Sequence, residues 1–219
     1  MCALLLQGCA DVADRRELYV VRPQDTVYSI AWRYGLDFRD LARWNNIGSD
    51  FRITVGQTLT LAPPSRAAIP ARSRAPAPVR PPPSSPAPIR SAQPGAGVTG
   101  LTWDWPTESS GAPRPVPSGG ILLSGQLGQD VRAAAAGRVV YSGTGIRGYG
   151  NLIIIKHGEN LLSAYAHNRE SLVRDGQEVA LDQVIGHMGE GAPGKPVLYF
   201  EIRRNGKPVD PLSFLPRVK

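Results

Sequence analysis

RGYGNLIIIKHGENLLSAYAHN, residues 147–168, is the stretch that decides the fold. Two short apolar runs, residues 152–156 and 161–167, predict β-strands because turn-forming residues separate them. The tetrapeptide HGEN between the runs predicts a hairpin, so the two strands should pair antiparallel. Residues 152–155 are apolar throughout, which is typical of a strand that is buried on both faces.

The sequence on either side of this hairpin continues the β pattern, with further strands predicted at 139–142 and 198–203. Because side chains alternate along a strand, the apolar even-numbered residues of the last strand should face the core. Its odd-numbered residues, among them Tyr199 and Arg203, should face the opposite side. We therefore expect residues 101–219 to form a domain of two packed antiparallel sheets.

Residues 17–62 show a different pattern. Apolar residues at 27, 30, 31 and 34 recur at the spacing of one helical face, and Asp25 before them predicts an N-cap. Gly35 predicts the end of this helix, and Asp37 predicts the start of a second short helix. With a β segment at each end, we expect a βααβ module. The chain as a whole should be mainly β with this small α+β module.

The residues between the two parts, 63–100, contain eleven prolines and no apolar periodicity. Such a segment cannot bury a core, and we expect a disordered spacer. It also holds five arginines and no acidic residue, so that about +2 of the net charge of +7 remains for the rest of the chain. No folded part is then strongly basic, which argues against nucleic-acid binding. The arginines are either simply solvated or attracted to anionic wall polymer or lipid headgroups.

The N-terminal residues 1–16 contain both cysteines of the chain, Cys2 and Cys9, which lie too near the end to staple a fold. Leu6-Gln7-Gly8-Cys9 resembles a bacterial lipobox, in which the signal is cut before a cysteine that is then acylated. The resemblance implies a periplasmic protein that a lipid on Cys9 anchors to the inner face of the outer membrane. The alternative is a chance apolar N-terminus.

Residues 17–62 closely resemble a LysM module, through blocks such as YVV (19–21), SIA (29–31) and VGQ (55–57). Such modules bind glycans that contain N-acetylglucosamine, chiefly peptidoglycan. The resemblance places the sugar groove between two loops, and each loop residue has a turn or capping role as its alternative. Trp44 either packs in the core or stacks on a sugar. The implied glycan-binding residues are Gln24, Asp25, Thr26, Asn45, Asn46 and Ile47.

Residues 101–219 resemble the LytM (lysostaphin-type) zinc peptidase domain. The blocks GQDVRAAAAGRVVYSG (128–143), LLSAYAHN (161–168) and LYFEIRRNGKPVDPLSFLP (198–216) follow in the order of that family. Active members hold zinc with an H-x-x-x-D motif and with the second histidine of H-x-H, and the metal activates a water. Two further histidines of the family assist catalysis.

The zinc ligands of that family are missing here. The resemblance places the three ligand positions on Ser118, Leu122 and Tyr199, and the first histidine of H-x-H on Val197. Only His167 keeps its type, at an assisting position. Because leucine has no donor atom, and serine and neutral tyrosine are poor ligands, we predict no metal, no cofactor and no catalysis. The enzyme alternative is a zinc endopeptidase with unrecognised ligands.

A LytM-type domain without its ligands, joined by a proline-rich linker to a LysM module, resembles the NlpD/EnvC group of amidase activators. The resemblance implies binding to peptidoglycan and activation of N-acetylmuramoyl-L-alanine amidases in septal wall splitting. The groove would bind the amidase by capture of a regulatory helix. The binding-only alternative is a passive tether between outer membrane and wall. The predicted groove residues are Leu122, Tyr149, Tyr165, His167, Val197, Tyr199 and Arg203.

Overall fold

A computed structural model describes residues 18–63, 101–192 and 194–217. The predicted anchor region with Cys9, and the predicted linker from residue 64 onward, lie outside the described residues. The described part consists of an α+β module and a β domain, which confirms the expected fold class. No helix in the described ranges is long and apolar enough to cross a membrane.

The small module has the βααβ order that the sequence predicts. Strand β1 (Leu18–Val20) pairs antiparallel with β2 (Thr58–Thr60). Helices α1 (Val27–Tyr34) and α2 (Phe38–Trp44) lie between them in sequence. Gly35 ends α1 in the left-handed conformation, as predicted, because a residue without Cβ adopts this conformation without strain. Asp37 caps α2, also as predicted.

The start of α1 differs from the prediction, since Thr26 rather than Asp25 is its N-cap. The Thr26 hydroxyl accepts the Ser29 amide at 3.0 Å, and the Ser29 hydroxyl accepts the Thr26 amide at 2.9 Å. This reciprocal capping box satisfies two amides that the helix itself leaves unpaired. The Asp25 carboxylate accepts hydrogen bonds from Tyr19 and Arg33 instead.

The β domain has one main antiparallel sheet, in the order β3-β4-β12-β8-β7-β6-β9. The same sheet branches at β10, which pairs with β5 and with the C-terminal part of β8. The strands are β3 (Arg114–Pro115), β4 (Ile121–Ser124), β5 (Asp130–Arg132), β6 (Gly137–Gly143), β7 (Asn151–His157), β8 (Leu161–Ser171), β9 (Glu178–Val179), β10 (Val184–Met188), β11 (Glu190–Ala192), β12 (Lys195–Arg204) and β13 (Lys207–Val209).

Two hairpin turns fix the centre and one end of the main sheet. Residues 158–160 connect β7 to β8, which confirms the hairpin that the HGEN sequence predicts. Asn205 and Gly206 connect β12 to β13, with φ values of 52° and 74°. Both φ values are positive, as a type I′ turn requires, and this turn keeps the right-handed twist of the two strands.

The main sheet is buried on both faces. One face packs within the β domain and includes Leu198, Phe200 and Ile202, as the alternation predicts. On β7, Ile153 and Ile155 join this core while Leu152 and Ile154 point to the opposite face, and all four are 0% exposed. The apolar run 152–155 is therefore confirmed as a strand without a solvent face.

The α+β module covers that opposite face of the sheet. Its helix α1 lies beside β6, and one contiguous apolar cluster joins Ile30 and Trp32 of α1 to Leu152 and Leu162 of the sheet. The module therefore supplies the apolar neighbours that the second face of β7 needs.

Candidate functional site in the groove of the main sheet

The three positions that the family resemblance aligns with zinc ligands lie together in the main sheet, next to β4. Tyr199 of β12 pairs in register with Leu122 of β4. Ser118, in the loop before β4, has its hydroxyl oxygen 3.0 Å from the Tyr199 hydroxyl oxygen. Ser118 and Tyr199 are 81 positions apart in sequence, and their contact agrees with the single site that the family resemblance predicts for them.

His167 and Val197 lie at one end of the same groove. The His167 ring centroid is 6.3 Å from that of Tyr199, and the His167 amide donates to the Tyr149 carbonyl at 2.9 Å. Gly191 separates the two side chains: a Cβ there would come within 2.6 Å of Val197 Cγ1 and 3.3 Å of His167 Cδ2. The Tyr149 ring completes this end, 5.6 Å from the Tyr199 ring and edge-on to it.

Tyr165 does not line the groove, and its prediction as a groove residue is wrong. Its side chain is 0% exposed and lies on the core face, with its ring 5.3 Å from that of Phe200. The Tyr165 hydroxyl accepts a hydrogen bond from the Ala134 amide and is also hydrogen-bonded to Ser163. Burial raises the pKa of this phenol to about 12, so it stays neutral.

The reason for the error is a local break in the alternation of β8. His167 has a φ of +64°, an uncommon value for a residue other than glycine. Regular alternation would put His167 on the same face as Tyr165, but this backbone conformation turns it to the Tyr199 side. Burial lowers the pKa of His167, so the ring is neutral at neutral pH.

A chain of polar side chains runs along the groove floor from Ser118 to Arg203. Tyr199 donates to Glu201 at 2.5 Å, and Arg203 donates to the other Glu201 oxygen at 2.7 Å. Because the Tyr199 proton goes to Glu201, the Ser118 hydroxyl must donate to Tyr199. Burial, and then the Glu201 carboxylate, raise the pKa of Tyr199 far above its ordinary value.

Glu201 is the groove residue that sequence reasoning left out. Its side chain is 0% exposed and neutralises Arg203, which is itself 7% exposed. Alternation along β12 places Glu201 on the groove side, which is a usable signal in the sequence. Its acceptor role between Tyr199 and Arg203 depends on three-dimensional contacts that the pattern does not contain.

The donor set does not fit zinc. Leu122 offers no donor atom, the Tyr199 oxygen keeps its proton, and Ser118 donates its own. In the ranges 18–63, 101–192 and 194–217, no group of three or more His, Cys, Asp or Glu side chains could hold a metal ion. Of the other histidines, His157 is bonded to Ala136 and Ser163, and His187 to Glu170.

Three of the predicted glycan-binding side chains have partners inside the module. Asp25 accepts from Tyr19 and Arg33, and Thr26 caps α1. The Asn45 amide group donates to the Leu41 and Thr60 carbonyls and accepts the Thr60 amide. The turn and capping alternatives therefore apply to these residues. Gln24 and Asn46 are exposed, with positive φ values, and Ile47 is half-buried.

A cleft of about 860 Å³ lies where the module meets the β domain. On the module side it is lined by Thr26, Tyr28 and Phe51, and the rings of the last two are 5.5 Å apart. On the other side it is lined by charged side chains of both signs, Arg138 and Lys156 together with Asp175 and Glu178. An aromatic floor beside polar groups is an arrangement that suits sugars.

Two protein families match this sequence. The family described as "Peptidase family M23" matches residues 116–211, and "LysM domain" matches residues 19–62. These two ranges contain the predicted groove and the predicted glycan loops.

Relatives with names match across most of the chain. "Lipoprotein NlpD/LppB homolog" of Pseudomonas aeruginosa is 42% identical over 244 residues, which cover 96% of this chain and 82% of the relative. "Murein hydrolase activator NlpD" of Escherichia coli is 37% identical, with 91% and 68% covered. "Outer membrane antigenic lipoprotein B" of Histophilus somni is 37% identical, with 89% and 65% covered.

Proposed function

Because this chain belongs to the NlpD family, which joins a LysM module to an M23 peptidase domain, we propose that it is a non-catalytic activator of cell-wall hydrolases. In this proposal the LysM module binds peptidoglycan. The groove of the β domain binds and activates N-acetylmuramoyl-L-alanine amidases, which split the septal wall.

The observation that carries the proposal is the convergence of Ser118, Leu122 and Tyr199 at one place without a usable set of metal donors. The surrounding strands β4, β12 and β8 pair without interruption around these residues. A fold that keeps its groove while the metal donors are absent is suited to binding rather than hydrolysis. The E. coli relative, whose name is murein hydrolase activator, supports the same role.

The chemistry of the groove suits an amphipathic helix of the amidase. Leu122 and Tyr149 are half-buried, and they adjoin the Tyr199 ring. His167 adds a half-buried neutral ring. Apolar and aromatic anchors in a groove are the features that dominate helix recognition. If the captured helix covers the amidase active site, tighter binding to the displaced helix favours the open enzyme.

Anchoring is the second part of the proposal. We infer that Cys9 is acylated and holds the protein at the inner face of the outer membrane, in the periplasm. Two of the relatives are named lipoproteins, and one of these names includes the outer membrane. A protein anchored in this way can reach the peptidoglycan layer, which is its proposed site of action.

The experiment uses the purified chain, an N-acetylmuramoyl-L-alanine amidase of the same organism and dye-labelled peptidoglycan. We expect the chain alone to release no dye and to stimulate release by the amidase. Leu122→Asp should abolish the stimulation, because a charge in the groove opposes an apolar helix. Leu127→Asp is the matched control, since Leu127 is 52% exposed in the loop after β4.

Two outcomes would contradict the proposal. Dye release by the chain alone, if a chelator prevents it, indicates a zinc endopeptidase. Binding to peptidoglycan without stimulation of the amidase indicates a passive tether.

A further inference from the structure

The module and the proposed amidase share one surface. Helix α1 packs on the groove side of the main sheet, where Leu162, Ala164 and Tyr199 belong to the same apolar cluster as Ile30 and Trp32 of the module. An incoming helix that uses this side of β8 and β12 therefore meets the module.

Arg203 is the centre of this shared surface. The guanidinium carbon lies 3.6 Å from the centroid of the Trp32 ring, and the guanidinium donates to the Trp32 carbonyl at 2.8 Å. Its remaining contact is the buried pair with Glu201. The module therefore stacks the Trp32 ring on the Arg203 guanidinium and accepts one of its hydrogen bonds. Arg203 is a residue that we assign to amidase binding.

Further hydrogen bonds hold the module at its rim. Thr26 donates to the Val140 carbonyl at 3.1 Å, and Arg33 donates to the Gly145 carbonyl at 3.0 Å. Arg39 donates to Asn205 at 2.6 Å.

Gly206 marks the tightest approach between the two parts. A Cβ on this residue would lie 2.5 Å from the Asp37 amide nitrogen and from the carbonyl carbon and oxygen of Leu36. All three atoms belong to the backbone of the module, so they cannot move aside as a flexible side chain could. The hairpin that carries Gly206 fits the module only without a side chain at this position.

We propose that the LysM module is an autoinhibitory cover, which competes with the amidase for the surface around Arg203. This inference rests on the proposed amidase function. When the module is docked, the groove is only partly available. The apparent affinity for the amidase is then reduced by the fraction of molecules that are open. Release of the module should therefore lower the concentration needed for activation without raising the maximal rate.

The test compares Gly206→Ala with Gly158→Ala in the full chain. Both glycines lie in hairpin turns, with φ values of +74° and +69°, so alanine strains both backbones alike. The space around Gly158 is open, with no atom within 4 Å of an added Cβ. Only Gly206→Ala pushes against the module. Docking is measured by hydroxyl-radical oxidation of Trp32, which is 3% exposed when docked, and activation by dye release.

We expect Gly206→Ala to raise Trp32 oxidation several-fold and to lower the half-maximal activating concentration several-fold, at an unchanged plateau. Gly158→Ala should change neither. Greater Trp32 oxidation with an unchanged half-maximal concentration would show that docking is not inhibitory. Unchanged Trp32 oxidation would show that this contact does not hold the module. If neither the parent nor the variant stimulates the amidase, the proposed function fails, and the inference fails with it.

A second pair of variants keeps the test decisive if Gly206→Ala does not fold. Arg39→Glu exchanges the bond to Asn205 for repulsion from Glu159 of the β domain, and it also breaks the pair with Asp37 inside the module. Its control is Arg43→Glu on the same helix, because that side chain is 73% exposed. Arg39→Glu should reproduce both effects and Arg43→Glu neither. The reverse result would overturn the proposal.

Discussion

The hydroxyl groups of Ser118 and Tyr199 lie 3.0 Å apart, at two positions that the family resemblance places among the metal ligands of active members. The phenol proton is directed to Glu201 and the serine proton to the phenol. Hydrogen bonds therefore occupy the place of coordination bonds, and they tie the loop before β4 to the middle of β12. This pair of hydroxyl groups is a structural joint beneath the proposed binding groove.

This geometry predicts that zinc binding can be rebuilt. The triple substitution Ser118→His, Leu122→Asp and Tyr199→His should hold about one zinc per chain after dialysis, because three ligands then converge on one point. The metal content is measured by mass spectrometry of the purified protein.

The single variant Tyr199→His is the control, and it should hold no zinc, since the positions at 118 and 122 still lack donors that zinc prefers. A triple variant without zinc would show that these three positions do not form one site.

Much of this site can be predicted from the sequence, because the alternation of side chains along a strand and the order of the motifs can be seen in the sequence itself. Alternation alone places Tyr199 and Arg203 on one face of β12, and the structure agrees. The same rule fails on β8, where a positive φ at His167 reverses one side chain. Nothing in the sequence marks this residue, since histidine is not a residue that favours such a conformation as glycine does.

The cover on the groove could not be predicted in the same way. Arg203 and Trp32 are 171 residues apart, on opposite sides of the proline-rich segment. Periodicity predicts a buried face for α1 at residues 27, 30, 31 and 34, but Tyr34 is 41% exposed, and the pattern gives no reason for Trp32 to be buried. The apolar run of β7 did indicate a second covered face, without indicating what covers it.

The buried pair of Glu201 and Arg203 should contribute strongly to stability. Glu201→Ala leaves a buried guanidinium without its carboxylate, and we expect a loss of about 3–5 kcal/mol in the free energy of unfolding. The measurement is urea unfolding followed by circular dichroism.

The matched control is Glu178→Ala, which breaks a pair with Arg138 whose side chains are 65% and 60% exposed. That change should cost about 0–1 kcal/mol. If both variants lose the same free energy of unfolding, burial does not make the Glu201–Arg203 pair more stabilising than an exposed pair.

His157 should make stability fall in mild acid. Burial lowers its pKa to about 4, whereas the unfolded value is close to 6.5. Between these values the unfolded chain binds a proton that the folded chain does not. The free energy of unfolding should therefore fall as pH drops from 6.5 to 4, by up to about 3 kcal/mol.

The measurement is urea unfolding at several pH values across this window, for the parent and for His157→Gln. Glutamine can keep a hydrogen bond to Ser163 but does not titrate. The variant should show the smaller dependence on pH. Parallel curves for the two proteins would mean that His157 is not the group responsible.

Neighbouring asparagines of the module should separate stability from glycan binding. Asn45 bridges the end of α2 to β2 through Leu41 and Thr60, so Asn45→Ala should lower the unfolding midpoint. Asn46 is exposed, with a φ of 53°, and glycine tolerates this conformation. Asn46→Gly should therefore keep the unfolding midpoint and weaken sedimentation with purified peptidoglycan several-fold, because it removes an amide from the proposed sugar groove. If Asn46→Gly sediments with peptidoglycan like the parent while substitution of Ile47 weakens sedimentation, the sugar groove lies further along the loop than we propose.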